Sequence, residues 1–244
     1  INRRKYGKTY EESDYPNKRN MLNIWNMPSM AGIHLQNYLT SNKFNPHVIN
    51  NLDSEFDVLQ NLIRAFPDAP IVISTTFYLQ WKEVARIVNL IRPLTKAPLI
   101  LGGAFINSFA SDNGKEKVIE YLHKYQVDYA IYSFNSEKDL LSLLQHISYK
   151  KIFPIKNLKN TIYKKNENYS IAQEEWNMPL IKEIKPIWDK LDIPSLNSTI
   201  QIRTASGCPF SCAFCSYPTT AKVWETADSD NVREHLDSIV KIPN

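Results

Sequence analysis

The 244-residue sequence lacks any run of eighteen apolar residues, so it predicts no membrane-spanning helix. A strong excess of charge is missing as well. The 29 Lys and Arg residues against 25 Asp and Glu residues leave a formal net charge of +4, too small and too dispersed for a nucleic-acid-binding surface. At 43% hydrophobic and 22% charged residues, the composition is that of an ordinary globular protein with one large or two small domains.

Cysteine is absent outside one short stretch. The three cysteines, Cys208, Cys212 and Cys215, have the spacing Cys-x3-Cys-x2-Cys. A structural zinc site needs four nitrogen or sulfur ligands, and the nearest histidine, His235, lies twenty residues further on. A disulfide would leave one thiol unpaired and crowd the others into a tight turn. The spacing suits an iron–sulfur cluster with one iron open, with zinc or a chance grouping as the alternatives.

The cysteines lie on a predicted loop between a strand and a helix. Residues 198–204 alternate as in a strand, and Gly207 ends it. The residues on one face of that strand are Ile200, Ile202 and Thr204. A helix is predicted over residues 229–241, and its core-facing residues are expected to be Val232, Ile239 and Val240. A loop at the carboxyl end of a strand is where β/α enzymes keep their chemistry.

The stretch around the cysteines resembles the radical S-adenosylmethionine (SAM) superfamily, whose first barrel strand runs into a Cys-x3-Cys-x2-Cys loop. Phe214 matches the family's usual aromatic residue before the last cysteine, and the resemblance makes it a SAM contact. The resemblance implies a [4Fe–4S] cluster held by Cys208, Cys212 and Cys215, with its fourth iron binding SAM. An electron from the cluster would then cleave SAM to methionine and a 5′-deoxyadenosyl radical.

Residues 21–147 alternate between short apolar runs and segments with helical spacing. The runs predicted as strands are residues 21–25, 48–49, 70–74, 98–102 and 128–133. The helical segments are centred on apolar residues such as Ile33, Phe56, Val84, Val118 and Leu140. Five such β-α units predict an α/β fold with a flavodoxin-like, doubly wound parallel sheet. Ligands of such sheets bind beyond the carboxyl ends of the strands.

Two neighbouring strands of this sheet end in hydroxyl-bearing or glycine residues. The third ends in Ser74, Thr75 and Thr76, and the fourth in Gly102 and Gly103. This resembles cobalamin-binding (B12-binding) domains, and it implies that the hydroxyls face the corrin and its nucleotide tail. The paired glycines would let the backbone lie flat against that tail. Strand ends of this composition also occur in flavodoxin-like folds without cobalamin.

The sequence departs from the cobalamin pattern at one point. Domains that coordinate cobalt from below carry Asp-x-His-x-x-Gly after the first strand, but here Met27 and Ser29 replace the Asp and the His, and only Gly32 is kept. His34 is expected to be a surface or packing residue. We therefore expect cobalamin to bind with its dimethylbenzimidazole detached and no histidine below the cobalt.

The sequence divides into four predicted parts. They are a polar N-terminal arm over residues 1–20, the cobalamin-binding flavodoxin-like domain over 21–147, a connector with a hairpin over 148–197, and the truncated start of a radical SAM partial barrel over 198–244. Trp176 and Trp188 are expected to be apolar anchors of the connector. Because the chain begins at Ile1 and leaves room for one helix after the cysteines, we expect a fragment of a longer enzyme.

The combined resemblance implies a cobalamin-dependent radical SAM enzyme, most commonly one that moves a methyl group from methylcobalamin to an unactivated carbon or phosphorus. A rearrangement or cyclisation with the same cofactors is one alternative. A non-catalytic cobalamin-binding module and a radical SAM enzyme whose first domain is only a scaffold are two others. Family analogy implies a small-molecule or peptide natural-product substrate, a flavodoxin or ferredoxin electron donor and, with free thiols, a reducing cytoplasm.

Overall fold

A computed structural model of the chain describes residues 29–149, 152–184, 187–188, 200–215, 217–221 and 223–242. The helices in these ranges are α1 (Met30–Ser41), α2 (Phe56–Ala65), α3 (Trp81–Ile91), α4 (Ala104–Asn113), α5 (Lys115–Tyr125), α6 (Glu137–Ser148), α7 (Tyr217–Ala221) and α8 (Ser229–Ile239). The strands are β1 (Ile71–Ser74), β2 (Leu99–Gly102), β3 (Tyr129–Ile131), β4 (Thr161–Lys165), β5 (Asn168–Ile171), β6 (Ala205–Ser206) and β7 (Glu225–Thr226). The predicted strand over residues 21–25, together with Met27, lies outside the described residues.

Strands β1 to β5 form one sheet in the order β1-β2-β3-β4-β5. The first three run parallel, with Ile71 opposite Leu99 and Ile100 opposite Tyr129. β4 pairs antiparallel with β3, and β5 pairs antiparallel with β4. The strands predicted over residues 70–74, 98–102 and 128–133 are confirmed. The predicted hairpin of the connector is also present, and it adds an antiparallel edge to the parallel sheet.

The core lies on both faces of β2. Leu99, Ile100 and Leu101 are fully buried, because helices cover both sides of this strand. Leu99 and Leu101 pack with side chains from α2, α3, α4 and α5, and Ile100 points the opposite way, into a cluster with α1 and α6. A strand buried on both faces reads as a continuous apolar run rather than an alternating one. The doubly wound arrangement predicted from the sequence is confirmed.

The strand predicted over residues 48–49 is wrong. These residues lie in an irregular segment between α1 and α2. The next backbone N–H groups, of Asn50 and Asn51, donate to the Glu55 carboxylate at 2.7 and 2.9 Å. The segment therefore closes onto the start of α2 through a side chain, and it does not extend towards a strand partner.

The strand predicted over residues 198–204 is also wrong in its described part, since residues 200–204 have no strand structure. The short strand β6 follows instead and pairs antiparallel with β7. Helix α8 confirms the last predicted helix, and the Asp228 side chain caps it by accepting from the N–H of Asn231 at 2.9 Å. Val240 is 84% exposed, so the expectation that it faces a core is wrong.

Helix α4 is a finding that the sequence analysis did not predict. It begins directly after Gly103 and ends before Gly114, and its Phe105 and Phe109 pack around Trp81 of α3. Of the two expected tryptophan anchors, Trp188 is buried and Trp176 is not. Within the described ranges, no helix is long and apolar enough to cross a lipid bilayer.

Candidate functional site

The carboxyl ends of β1 and β2 bring together the five residues that the sequence predicts for cobalamin. Ser74 lies opposite Gly102 in the parallel register. Thr75 is fully buried, and both its N–H and its hydroxyl donate to the carbonyl oxygen of Gly102, at 2.7 and 2.9 Å. Its hydroxyl also accepts from the N–H of Ile106 at 3.3 Å. Thr75 therefore fastens β1 to β2 and to the start of α4.

Ser74 and Thr76 are exposed on either side of this buried threonine, and their hydroxyl oxygens lie 3.0 Å apart. The chain continues into Phe77 and Leu79, whose side chains are 63% and 70% exposed. An exposed apolar pair beside two hydroxyls suits a ligand with an apolar face and polar edges. The sequence analysis missed Phe77 and Leu79. Their signal is the presence of large apolar residues directly after a strand end.

The two glycines at the end of β2 differ in what the fold demands of them. Gly103 has φ +110°, and a Cβ there would lie 3.0 Å from the backbone nitrogens of Thr75 and Thr76, so the fold itself requires glycine. A Cβ on Gly102 would meet only Ile131, at an ordinary contact distance of 3.8 Å. The packing of the protein therefore does not require a glycine at position 102. The absence of a side chain at Gly102 therefore leaves space that a ligand could occupy.

The three cysteines lie on one loop, with Cys208 half-buried and both Cys212 and Cys215 exposed. The N–H of Cys215 donates to the carbonyl oxygen of Cys212 at 3.0 Å, which forms a turn. Across the part of the chain that the structure describes, no three Cys, His, Asp or Glu side chains are close enough to hold a metal ion. The sulfurs thus share a loop but do not converge on one point. The donor set itself, three thiolates, is the one that an open-iron cluster needs.

The loop is anchored at its start by Gly207, which has φ +84°, and a Cβ there would collide with the carbonyl oxygen of Val223. The N–H of Gly207 donates to the Tyr217 hydroxyl at 3.3 Å. Phe214, the predicted SAM contact, is 92% exposed. An aromatic ring this exposed is available to contact a ligand.

The segment that follows the cysteine loop contacts the residues just after β3. The ring of Tyr217, next to the loop, meets the ring of Phe134 edge-on, with centroids 5.4 Å apart. Phe134 follows β3, and β3 is parallel to β1 and β2, so its carboxyl end lies at the same edge. The structure therefore brings the two predicted cofactor regions to one side of the molecule.

A buried charged group links α1, α6 and the segment before the cysteines. Glu137 Oε1 lies 3.2 Å from His34 Nε2 and 3.3 Å from Arg203 Nη1. Arg203 Nη2 donates to the hydroxyl of Ser206 at 2.7 Å. Burial alone would raise the pKa of Glu137, but its hydrogen bond to His34 and the charges of His34 and Arg203 hold that pKa below its usual range.

A lowered carboxyl pKa in the folded state predicts acid sensitivity. The stability that ionised Glu137 contributes is present above the pKa of the unfolded chain and is lost as the pH falls through the lower folded-state value. Urea unfolding at several pH values should show that the Glu137→Gln variant loses less stability than the wild type below about pH 4.5. Equal losses in both proteins would contradict this prediction. Tyr38 of α1 and His235 of α8 are two further titratable groups near this site.

A second buried carboxylate fastens the connector to the loop after β3. Asp139 Oδ2 accepts from Asn160 at 3.0 Å, from Asn177 at 2.7 Å and from the Ser133 hydroxyl. Burial raises the pKa of Asp139, although all three donors act to lower it. Asn177 and Asn135 also exchange side-chain to backbone hydrogen bonds at 2.8 and 3.0 Å. This network holds the loop that carries Phe134 against the connector.

The residues near the predicted cobalt-ligand position already have other roles. Ser29, which stands where cobalt-ligating domains have histidine, is the N-cap of α1, and its hydroxyl accepts from the N–H of Gly32 at 3.4 Å. His34 Nε2 lies against Glu137 and Arg203. The structure thus gives His34 a packing role, as expected from the sequence.

Comparison with known proteins supports this fold. No protein-family profile matches the sequence, and no curated protein does either. Solved structures that are similar to the chain include two of one enzyme and one of another. Its structural neighbours are cobalamin-dependent radical SAM enzymes. Two are structures of the radical SAM methyltransferase TsrM from Kitasatospora setae, one with its tryptophan substrate and a SAM analogue and one with cobalamin and a [4Fe–4S] cluster. The third is OxsB with aqua-cobalamin.

The similarity lies in the fold, since sequence identity is low. The TsrM structures give TM-scores of 0.60 and 0.59 at 15% and 14% identity, and each covers 87% of this chain. OxsB gives 0.63 at 19% identity over 91% of this chain. The chain spans 43% of the length of TsrM and 31% of that of OxsB. The predicted α/β class is therefore confirmed, and the sheet is of the kind that these neighbours contain. Cobalamin binding, the other cofactors and the reaction belong to the proposal that follows.

Proposed function

We propose that this chain carries the cobalamin-binding and cluster-binding parts of a radical SAM enzyme. The observation that supports the proposal is the contact between Tyr217, just after the cysteine loop, and Phe134, just after β3. Ser74 and Gly102 end β1 and β2 on that same side of the parallel sheet. Open α/β sheets bind ligands beyond the carboxyl ends of their strands, which is where both groups of residues lie. A TsrM structure with this fold holds cobalamin and a [4Fe–4S] cluster, and the OxsB structure holds aqua-cobalamin.

Each cofactor has residues that suit it. Cys208, Cys212 and Cys215 would supply three thiolates to a [4Fe–4S] cluster, with Phe214 beside SAM. The residues that would face cobalamin are Ser74, Thr76, Gly102 and Gly103, with Thr75 holding them in place through its bonds to Gly102. When bound, the cluster supplies the electron that cleaves SAM, and the corrin supplies a methyl carrier. The protein's own contribution is to orient both at one edge.

Methyl transfer to a small molecule is the reaction we propose. Its support is that TsrM is a methyltransferase whose structure holds tryptophan as substrate. A rearrangement with the same cofactors would consume SAM without transferring a methyl group, so mass analysis of the product separates the two. We also propose a reducing cytoplasm as the compartment and a flavodoxin or ferredoxin as electron donor, because exposed thiols and a reducible cluster need both.

The state of bound cobalamin tests the first domain's part in this proposal. Since Ser29 and His34 are used within the fold, we expect no nitrogen ligand below the cobalt. The electron paramagnetic resonance (EPR) spectrum of the cob(II)alamin complex should therefore lack nitrogen superhyperfine splitting, in the wild type and in His34→Gln alike. A triplet splitting in the wild type would contradict the expectation. Its loss in His34→Gln would identify that histidine as the ligand.

A further inference from the structure

Three side chains, those of Glu137, Arg203 and Ser206, connect the flavodoxin-like sheet domain to the segment that leads into the cysteine loop. Glu137 is the first residue of α6, directly after the loop that carries Phe134. Its carboxylate contacts Arg203, and the other nitrogen of that guanidinium donates to Ser206. Ser206 is buried and stands two residues before Cys208. One planar guanidinium thus joins two parts of the chain that are 66 residues apart in sequence.

This arrangement is costly if its only purpose is packing. Glu137 is buried, and its second oxygen, Oε2, has no hydrogen-bond partner among the residues that the structure describes. A buried carboxylate with an unpaired oxygen costs free energy, and an apolar pair of the same volume would often be as stable. Unlike an apolar contact, the ion pair and its hydrogen bonds have a preferred geometry. A guanidinium with donors in a fixed plane sets the position of both partners.

We propose that Glu137 is a positioning residue for the cysteine loop, which it holds through Arg203 and Ser206. The inference rests on the proposed function, since it assigns the loop to a cluster whose place relative to the corrin edge must be fixed. Cys208, next to this anchor, is half-buried, whereas Cys212 and Cys215 further along the loop are exposed. The anchor therefore acts at the start of the loop, on the first of the three thiols.

The test is competitive alkylation of the iron-free chain at one fixed pH, with Cys212 as internal reference. Fragment-ion mass spectrometry resolves the rate at each cysteine. In the wild type, Cys208 should react more slowly than Cys212. Glu137→Gln and Ser206→Ala should each raise the ratio of the Cys208 rate to the Cys212 rate about threefold or more. The double variant should change it no further than the larger single effect, because both act through Arg203.

The matched control is Asp128→Asn. Asp128 forms another partly buried carboxylate–guanidinium pair, with Arg92 at 3.0 Å, at the opposite edge of the sheet. This substitution should lower the thermal midpoint without changing the alkylation ratio. Ser206→Ala removes only one hydroxyl group and should disturb folding less than Glu137→Gln. If the Glu137→Gln variant folds poorly, the alkylation ratio of Ser206→Ala still tests the proposal. An unchanged ratio in both test variants, or an equal change in Asp128→Asn, would overturn the proposal.

A second readout uses the iron-loaded chain. Release of iron to a chelator should be about tenfold faster in Glu137→Gln and Ser206→Ala than in the wild type or Asp128→Asn. Arg203→Lys keeps the positive charge but cannot reach both partners from one plane, so it should behave as Glu137→Gln does. If the wild type binds no iron, the proposed function fails, and the alkylation ratio still decides whether Glu137 positions Cys208.

Discussion

Replacing Cys208 by alanine is expected to lower the iron bound after anaerobic reconstitution from about four atoms per chain to less than about one. With only two thiolates left on the loop, a cube of four irons loses one of its three protein ligands. Cys212→Ala and Cys215→Ala should have the same effect. Iron content and the visible absorption of the cluster measure the result.

The control for this series is Phe210→Ala, which changes an exposed side chain on the same loop and should keep its iron. Cobalamin uptake should be unaffected in all four variants, since the residues that we propose for cobalamin lie at the carboxyl ends of β1 and β2. Iron content near the wild-type value in any cysteine variant would show that this thiol is not a cluster ligand. A loss of cobalamin together with iron would point to general unfolding.

The two adjacent glycines should respond in opposite ways to alanine. In Gly102→Ala the new Cβ meets only Ile131 at an ordinary distance, so the free energy of unfolding should change by less than about 1 kcal/mol. The same Cβ fills the space we assign to cobalamin, and bound cobalamin should fall at least about tenfold. In Gly103→Ala, positive φ and backbone crowding should cost about 1–3 kcal/mol of stability whether or not a ligand binds.

Urea unfolding and the visible absorption of hydroxocobalamin retained after gel filtration separate these effects. The informative pattern is a stable Gly102→Ala protein that has lost cobalamin. A stable Gly102→Ala protein that binds cobalamin as the wild type does would remove this glycine from the candidate site. It would favour the alternative in which the strand-end glycines are features of the fold alone.

The sheet could be predicted from the sequence because parallel strands buried on both faces are short, continuous apolar runs. Residues 98–102 show this, since β2 is buried on both faces. Residues 70–74 also form an apolar run, although Val72 and Ser74 of β1 are exposed. β1 and β2 reproduce these two runs almost to the residue. Residues 200–204 show the limit of the method. Their alternation fits a strand, but a strand also needs a partner, and pairing begins only at Ala205. Helix α4 was missed because serine, asparagine and aspartate dilute its apolar spacing.

The candidate site could be predicted in part. The end residues of β1 and β2 are recognisable because neighbouring parallel strands place their carboxyl ends together, as Ser74 and Gly102 are placed. Thr75 is a buried structural residue and Thr76 an exposed one, and this difference depends on hydrogen bonds that no sequence pattern contains. In the same way, only backbone angles show that the fold requires glycine at Gly103 but not at Gly102. The pairing of Glu137 with Arg203 is likewise a tertiary contact between distant segments.

The most direct test of this account is the metal content of the wild-type chain after anaerobic reconstitution with iron, sulfide and hydroxocobalamin. The account predicts about four irons and one cobalt per chain, because it assigns three thiolates to one cluster and one site to cobalamin. A chain that binds iron but no cobalt would show that the sheet domain does not bind cobalamin and serves only as a scaffold. A chain that retains neither metal would contradict the account.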